Sequence, residues 1–134
     1  MANLHQNLTT IFYIMKYCEK IKKIAMVFEN DFSKFVLKEN FPQCNMCAFY
    51  VFQIGELFDE MSDNFKKNVN KYIPWEKING VKCKIEQDYD NFDFELIWTV
   101  MTQNIDRLYN SCRNILEVEY PDYIKKLEQE FNSL

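Results

Sequence analysis

The scarcity of chain-breaking residues is the feature that most limits the folds open to this sequence. Its 134 residues include only 2 glycines and 3 prolines. All-β folds need many tight turns, and tight turns depend on these residues for their backbone geometry. The chain therefore favours long helices with few connections. Because its hydrophobic fraction of 48% is enough for a packed core, we expect one all-α domain over residues 1–134.

Apolar residues recur at intervals of three and four, which is the pattern of the buried face of a helix. The pattern predicts long helices over residues 4–28, 47–65, 74–87 and 94–115, and a last short helix over 124–134. Asp31 and Asp93 are expected N-caps. We expect Phe41-Pro42 to end a short helix that follows Asp31. We expect Tyr120-Pro121 to end the long helix predicted over residues 94–115. The predicted architecture is an antiparallel up-and-down bundle of four to five helices.

Cysteine content and the N-terminal sequence bear on the compartment and on metal binding. Five cysteines and a polar start without a signal-peptide pattern predict a reducing cytoplasm. No run of 18 apolar residues is present, so no membrane span is expected. Cys44 and Cys47 form a CxxC pair, but a second pair of zinc ligands and a βαβ setting are both missing. We interpret them as buried thiols, and we expect no metal and no cofactor.

The charge is unevenly distributed along the chain. The net charge is −4, yet residues 64–86 hold six lysines against two glutamates. A general nucleic-acid binder is usually basic throughout, so a solvated helical face is the favoured interpretation of most of these lysines. The only histidine, His5, is expected at a terminal surface or capping position, which excludes nucleophile systems built around a central histidine.

Two groups of residues are candidates for chemistry. Lys82, Gln87 and Tyr89 could meet at one polar site near the end of the predicted 74–87 helix. A lysine ammonium can bind phosphate as a point charge, whereas a glutamine amide cannot carry a proton at pH 7. An ordinary exposed helix end is an equally weighted alternative.

The second group surrounds the only glycine of the central helix. Gly55 costs that helix about 1 kcal/mol relative to alanine, so we expect it to permit close approach of another helix or a ligand. We expect Glu56, beside it, to make a structural hydrogen bond, and Asp59 and Glu60 to be solvated. Residues 46–54 are apolar on nearly every side, which predicts a helix in the middle of the bundle.

The ordered motifs Ile54-Gly55-Glu56, Ile73-Pro74-Trp75, Gly80 and residues 93–98 resemble the HEPN superfamily, and within it the HepT-like toxin group. That family carries Ile-Gly-Glu, then Ile-Pro-Trp, then Gly-Met-Arg-Asn, then a histidine with a tyrosine two residues later. The resemblance covers about residues 8–112. It implies an antiparallel helical bundle, usually a homodimer, that cleaves RNA without a metal. It also implies an MNT-type nucleotidyltransferase as antitoxin partner, which in some members modifies the tyrosine.

This sequence departs from the family at the two decisive positions. Lys82 stands where the family has its phosphate-binding arginine, and Gln87 where it has its proton-carrying histidine; Cys83 replaces the asparagine. Only Tyr89 is retained. Lysine loses the bidentate grip of arginine on phosphate, and loss of general acid–base catalysis typically lowers a rate by about 10² to 10⁴.

Three functional hypotheses follow. In the first, the chain is a HepT-like protein with a degenerate RNase centre that binds or regulates a partner, as a cytoplasmic homodimer. In the second, it is a weak ribonuclease that uses Lys82 with Tyr89 or Lys84. In the third, the lysine-rich segment binds a nucleotide or another small phosphate ligand. The first is the principal prediction, with RNA as a further binding candidate and with Cys83, Lys84 and Glu56 as supporting residues.

Overall fold

The computed structural model describes residues 3–69, 73, 75–87 and 93–133, and every regular element in those ranges is helical. The α-helices are α1 (Leu4–Val27), α2 (Phe32–Phe35), α3 (Phe41–Glu60), α4 (Asp63–Val69), α5 (Trp75–Gln87), α6 (Phe94–Thr99), α7 (Ile105–Asn114) and α8 (Pro121–Asn132). A short 3-10 segment (Lys38–Asn40) precedes α3, and π-helical segments follow α6 (Val100–Asn104) and α7 (Ile115–Glu119). The all-α prediction is confirmed.

Helix α1 lies at the centre of the bundle and contacts both α3 and α7. Near its start, Asn7 is 3% exposed and hydrogen-bonds Ser62, which follows the end of α3. Later in α1, the ring of Tyr17 lies 5.5 Å from that of Tyr50 in the middle of α3. The start of α1 is thus beside the end of α3, which makes these two helices antiparallel, as predicted.

The pairing of α1 with α7 has the same sense. Lys22 in α1 lies 3.0 Å from Asp106 at the start of α7, measured from Nζ to Oδ1. Glu19, which precedes Lys22 in α1, accepts a 3.5 Å hydrogen bond from Tyr109, which follows Asp106 in α7. Cys18, earlier still, interacts with Cys112. Both thiols are fully buried. The two central pairings of the bundle are therefore antiparallel.

The apolar face predicted over residues 47–65 is one that the fold buries. The stripe predicted over residues 47–65 is buried throughout, at 8% exposure or less: Cys47, Val51, Ile54, Phe58, Met61 and Phe65. It does not belong to a single helix, however. Met61 has extended backbone angles and ends α3, and α4 begins at Asp63. The apolar spacing continues across this break, so periodicity alone could not show it.

Helix α3 is not enclosed on all sides, contrary to prediction. Met46 and Phe49 are 47% and 54% exposed, although their neighbours Cys47 and Ala48 are fully buried. The prediction failed because apolar composition on every side of a helix does not determine which side the neighbouring helices cover. One face of α3 therefore exposes large apolar side chains.

The helix ends follow local chemistry. Asp31 and Asp93 accept hydrogen bonds from the backbone N–H of Ser33 and Leu96, which confirms them as N-caps. Phe41-Pro42 begins α3 instead of ending α2. The prediction there was wrong because proline also suits the first turn of a helix, where its missing N–H is not needed. Pro121 opens α8 in the same way, after the predicted break at Tyr120.

The predicted long helix over residues 94–115 is continuous but not uniform. It passes from α6 through the π segment Val100–Asn104 into α7, and a second π segment, Ile115–Glu119, follows. Each π turn widens the helix locally. In the described part of the chain, no helix is both long and apolar enough to cross a bilayer.

The core of α3 offers a stability test with a control on the same helix. Phe58 is fully buried, and Phe49 is 54% exposed. We predict that Phe58→Ala lowers the free energy of unfolding by about 3–5 kcal/mol, because it leaves a cavity. Phe49→Ala is expected to change it by less than about 0.5 kcal/mol. Urea unfolding at 25 °C measures both, and equal losses would contradict the burial described above.

Candidate functional site

Helix α5 carries Lys82 into the interface with α3. Val81 and Ile85 are buried on the core face of α5, while Cys83 and Lys84 on its other side are exposed. Lys82 lies at the edge of the buried face and is 8% exposed as a residue. A lysine this buried is unusual unless it is paired.

The partners of Lys82 are two carboxylates of α3. Its Nζ lies 3.0 Å from Glu56 Oε1 and 2.5 Å from Asp59 Oδ2, and it donates a hydrogen bond to the latter. Glu56 and Asp59 are three residues apart, so one helical face presents both to the same cation. The ring of Phe52, one turn earlier, has its centroid 5.9 Å from Nζ. The ammonium is thus held by two anions and by an aromatic ring.

Gly55 makes room for this arrangement. A Cβ atom at position 55 would lie 2.7 Å from Cδ of Lys82, 2.9 Å from its Cβ and 3.0 Å from its Cγ. Such distances are too short for carbon atoms, which meet at about 3.5–4.0 Å. The aliphatic stem of Lys82 therefore crosses α3 where the helix has no side chain. The expectation that Gly55 permits close approach of another helix is confirmed.

The two carboxylates stabilise the charged form of Lys82. Hydrogen bonds from Lys82 to Asp59 and Glu56 raise the pKa of its ammonium well above the ordinary lysine value, and outweigh the opposing effect of burial. Lys82 therefore stays protonated at neutral pH. With both carboxylates ionised, the three groups carry a net charge of −1.

Of the other predicted site residues, only Glu56 joins Lys82 within the described part of the chain. Gln87 ends α5 and is exposed, as are Cys83 and Lys84. Tyr89 lies outside the described residues, so its predicted position beside Lys82 and Gln87 stays a prediction. Glu56 makes the polar contact expected of it, with Lys82 as its partner.

The expectation for Asp59 was wrong in one respect. Its side chain is 47% exposed, as a solvated group would be, but it also binds the Lys82 ammonium. Sequence spacing could have indicated this role, since Gly55, Glu56 and Asp59 lie within five residues on one helix. What the sequence does not reveal is the position along α3 at which α5 crosses it, because that position depends on tertiary packing.

The remaining candidates show little sign of catalytic chemistry. Cys44 and Cys47 are fully buried, and the thiol of Cys44 donates to the carbonyl oxygen of Phe35. Burial raises the pKa of Cys44 to about 11 and that of Cys47 to about 12, so both remain protonated thiols at pH 7. Among the described residues, no group of three His, Cys, Asp or Glu side chains could hold a metal ion.

His5 does not cap α1, contrary to one of the two positions expected for it. Asn3 is the N-cap, and its side chain and that of Gln6 form a capping box. His5 lies half-buried in the first turn, 6.1 Å from the ring of Tyr123. It lines an open groove of about 570 Å³ that Glu60 also lines.

An apolar cavity of about 30 Å³ lies between α3, α5, the π segment Val100–Asn104 and α7. Its lining residues include Val51, Ile78 and Leu108, with Lys77 and Asn104 as the polar members. This volume holds roughly one water-sized group. The cavity is thus a small packing defect beside the π turn and is too small for a nucleotide.

Comparison with curated proteins finds similarity to a protein of Caldanaerobacter subterraneus subsp. tengcongensis named "Putative RNase TTE0752". The two are 27% identical over 66 residues, which is 49% of this chain and 58% of that protein. The chain therefore matches little more than half the length of that relative. No family model matches the chain, and no solved structure matches it significantly.

The two glycines provide a matched test of the α3–α5 contact. Gly55→Ala is expected to lower the free energy of unfolding by about 1–3 kcal/mol, because the new Cβ overpacks against Lys82. A Cβ at Gly80 in α5 meets none of the described residues within 4 Å. Gly80→Ala should therefore raise stability by about 0.5–1 kcal/mol through helix propensity alone. Equal effects of the two changes in urea unfolding would contradict the close approach.

Neighbouring lysines of α5 test the ion pair itself. We predict that acetic anhydride at pH 8 acetylates Lys82 at least tenfold more slowly than Lys84, because Lys82 is buried and its pKa is raised. Peptide mass spectrometry of the folded protein measures both rates. In 8 M urea the two rates should become equal, and equal rates in the folded protein would show that Lys82 is not held by the carboxylates.

Proposed function

We propose that this chain is a HepT-like domain of the HEPN superfamily whose RNA cleavage is impaired. In this proposal it acts as a binding or regulatory partner of an MNT-type nucleotidyltransferase, as a homodimer in the cytoplasm. The similarity to the RNase-named protein of Caldanaerobacter supports a ribonuclease-like origin. The all-helical bundle fits the fold that the motif resemblance implies.

The observation that carries the proposal is the pairing of Lys82 with two carboxylates of α3. A residue that grips a scissile phosphate must present its positive charge to the substrate. The ammonium of Lys82 instead contacts Glu56 and Asp59, and its side chain is only 11% exposed. A phosphate approaching this site would meet a net negative charge, so that binding there is opposed electrostatically.

Proton transfer meets a second obstacle. Gln87 is exposed at the end of α5, but an amide neither accepts nor releases a proton at pH 7. The chain therefore lacks both the free cation and the proton carrier at the two positions where the resemblance requires them. Both losses reduce stabilisation of the transition state, while the helical scaffold that would bind a partner is retained.

An RNase assay on purified protein tests the impairment. We predict that the unmodified chain and Lys82→Ala cleave a mixed RNA substrate at the same background rate. Lys82→Arg/Gln87→His is expected to gain activity. Adding Asp59→Asn should raise it further, because one of the two competing carboxylates is neutralised. The matched control is Asp59→Asn alone, which restores neither arginine nor histidine.

Robust cleavage by the unmodified chain, abolished by Gln87→Ala, would overturn the proposal. Cleavage that is lost only in Lys84→Ala would instead favour the weak ribonuclease, since the Lys84 side chain is exposed.

The partner is tested separately, by co-expression with the adjacent reading frame if that frame encodes a small nucleotidyltransferase. Co-elution at a fixed ratio is expected, and separate elution would count against the partnership.

A further inference from the structure

The exposed face of α3 joins an apolar surface to the carboxylates that hold Lys82. Met46 and Phe49 are 47% and 54% exposed. Continuing along the same face in steps of four, three and four residues, Gln53, Glu56 and Glu60 follow. Residues at this spacing form one stripe on a helix. We refer to Met46, Phe49, Gln53, Glu56 and Glu60 as the α3 stripe.

The accessible chemistry at the far end of the stripe is that of hydrogen-bond acceptors. The side chain of Lys82 is 11% exposed, whereas those of Glu56 and Asp59 are 43% and 47% exposed. Each carboxylate contacts Lys82 through one oxygen and has a second oxygen with further acceptor sites. An incoming group thus meets carboxylates before it meets the ammonium.

The local charge has the same sign. Lys66 also lies nearby, since its Nζ donates to the main-chain oxygen of Asp59 at 3.3 Å. The three carboxylates of Glu56, Asp59 and Glu60 still outnumber the two ammonium groups of Lys66 and Lys82. The end of the stripe is therefore acidic, and its start is apolar.

We infer that the α3 stripe is a docking surface for a segment of another protein that carries an apolar side chain and an arginine or lysine. Phe49 and Glu56 are seven residues apart, which on a helix is about 10 Å. A partner helix would match them with an apolar residue and a basic residue seven positions apart, and an extended partner with the two about three apart. The inference deepens the proposed binding role by specifying the partner's chemistry.

The probe is a phage-displayed library of random 16-residue peptides, panned against the full chain and counter-selected on Phe49→Ser. We expect the enriched peptides to carry arginine or lysine at one of these two spacings from an apolar residue. The most enriched peptide is then synthesised, and its Kd is measured by calorimetry. Replacing its basic residue with glutamine should weaken binding at least tenfold.

Variants of the chain locate the surface. Phe49→Ser should weaken peptide binding at least tenfold, and Glu60→Gln about threefold or more. Glu60→Gln leaves the contacts of Lys82 in place, so its effect does not depend on the stability of the ion pair. Val118→Ser, at a residue 68% exposed in the π segment after α7, is the control and should leave Kd unchanged. Circular dichroism confirms that each variant is folded.

Several results would overturn the inference: no enrichment that depends on Phe49, enrichment of acidic peptides, or equal binding by the arginine and glutamine peptides. If Phe49→Ser turns a dimer into a monomer in sedimentation, the stripe binds a second copy instead. Displacement of the bound peptide by RNA would identify the stripe as a nucleic-acid surface instead. RNase activity of the unmodified chain would refute the impaired function alone, because peptide binding is measured independently of cleavage.

Discussion

The contact of Lys82 with Glu56 and Asp59 determines how the candidate site can act. It joins α5 to α3 and buries the ammonium of Lys82 between the two helices. It also directs the charge of that cation inward. A buried charge persists only where partners compensate its desolvation, and here two carboxylates and the Phe52 ring do so. The site presents acceptors to solvent in consequence, and its ligand should be a donor.

The backbone of α3 is part of the same interaction. Without a side chain at Gly55, the stem of Lys82 can lie across the helix, and its ammonium reaches carboxylates one and four residues further along. The cost of a glycine in a helix interior is thereby explained by a tertiary contact. At the other glycine, Gly80, an added Cβ would meet no described residue within 4 Å, so no contact in the described part of the chain accounts for its presence.

Sequence reasoning succeeded where local chemistry decides the structure. The N-caps Asp31 and Asp93, the break at Tyr120 and the buried apolar stripes all depend on residues within a few positions of one another. It failed where distant parts of the chain decide. The Ser62 N–H that follows α3 donates to Asn7, 55 residues earlier, so the break between α3 and α4 involves a long-range contact.

The candidate site shows the same division. The residue types at positions 82 and 87 could be interpreted from sequence, because the chemistry of lysine and glutamine does not depend on the fold. The partners of Lys82 could not be inferred from sequence, because they depend on where α5 crosses α3. Both carboxylates were recognised as polar residues of the central helix, but neither was assigned to a cation.

The central claim is that Lys82 is an internal partner of the α3 carboxylates and not a free phosphate-binding group. A double-mutant cycle measures this directly, using Lys82→Met, which keeps the stem, and Asp59→Asn, which keeps the shape. The free energies of unfolding should show a coupling of at least about 1 kcal/mol. If the two single changes add to within about 0.3 kcal/mol of the double change, the claim is contradicted.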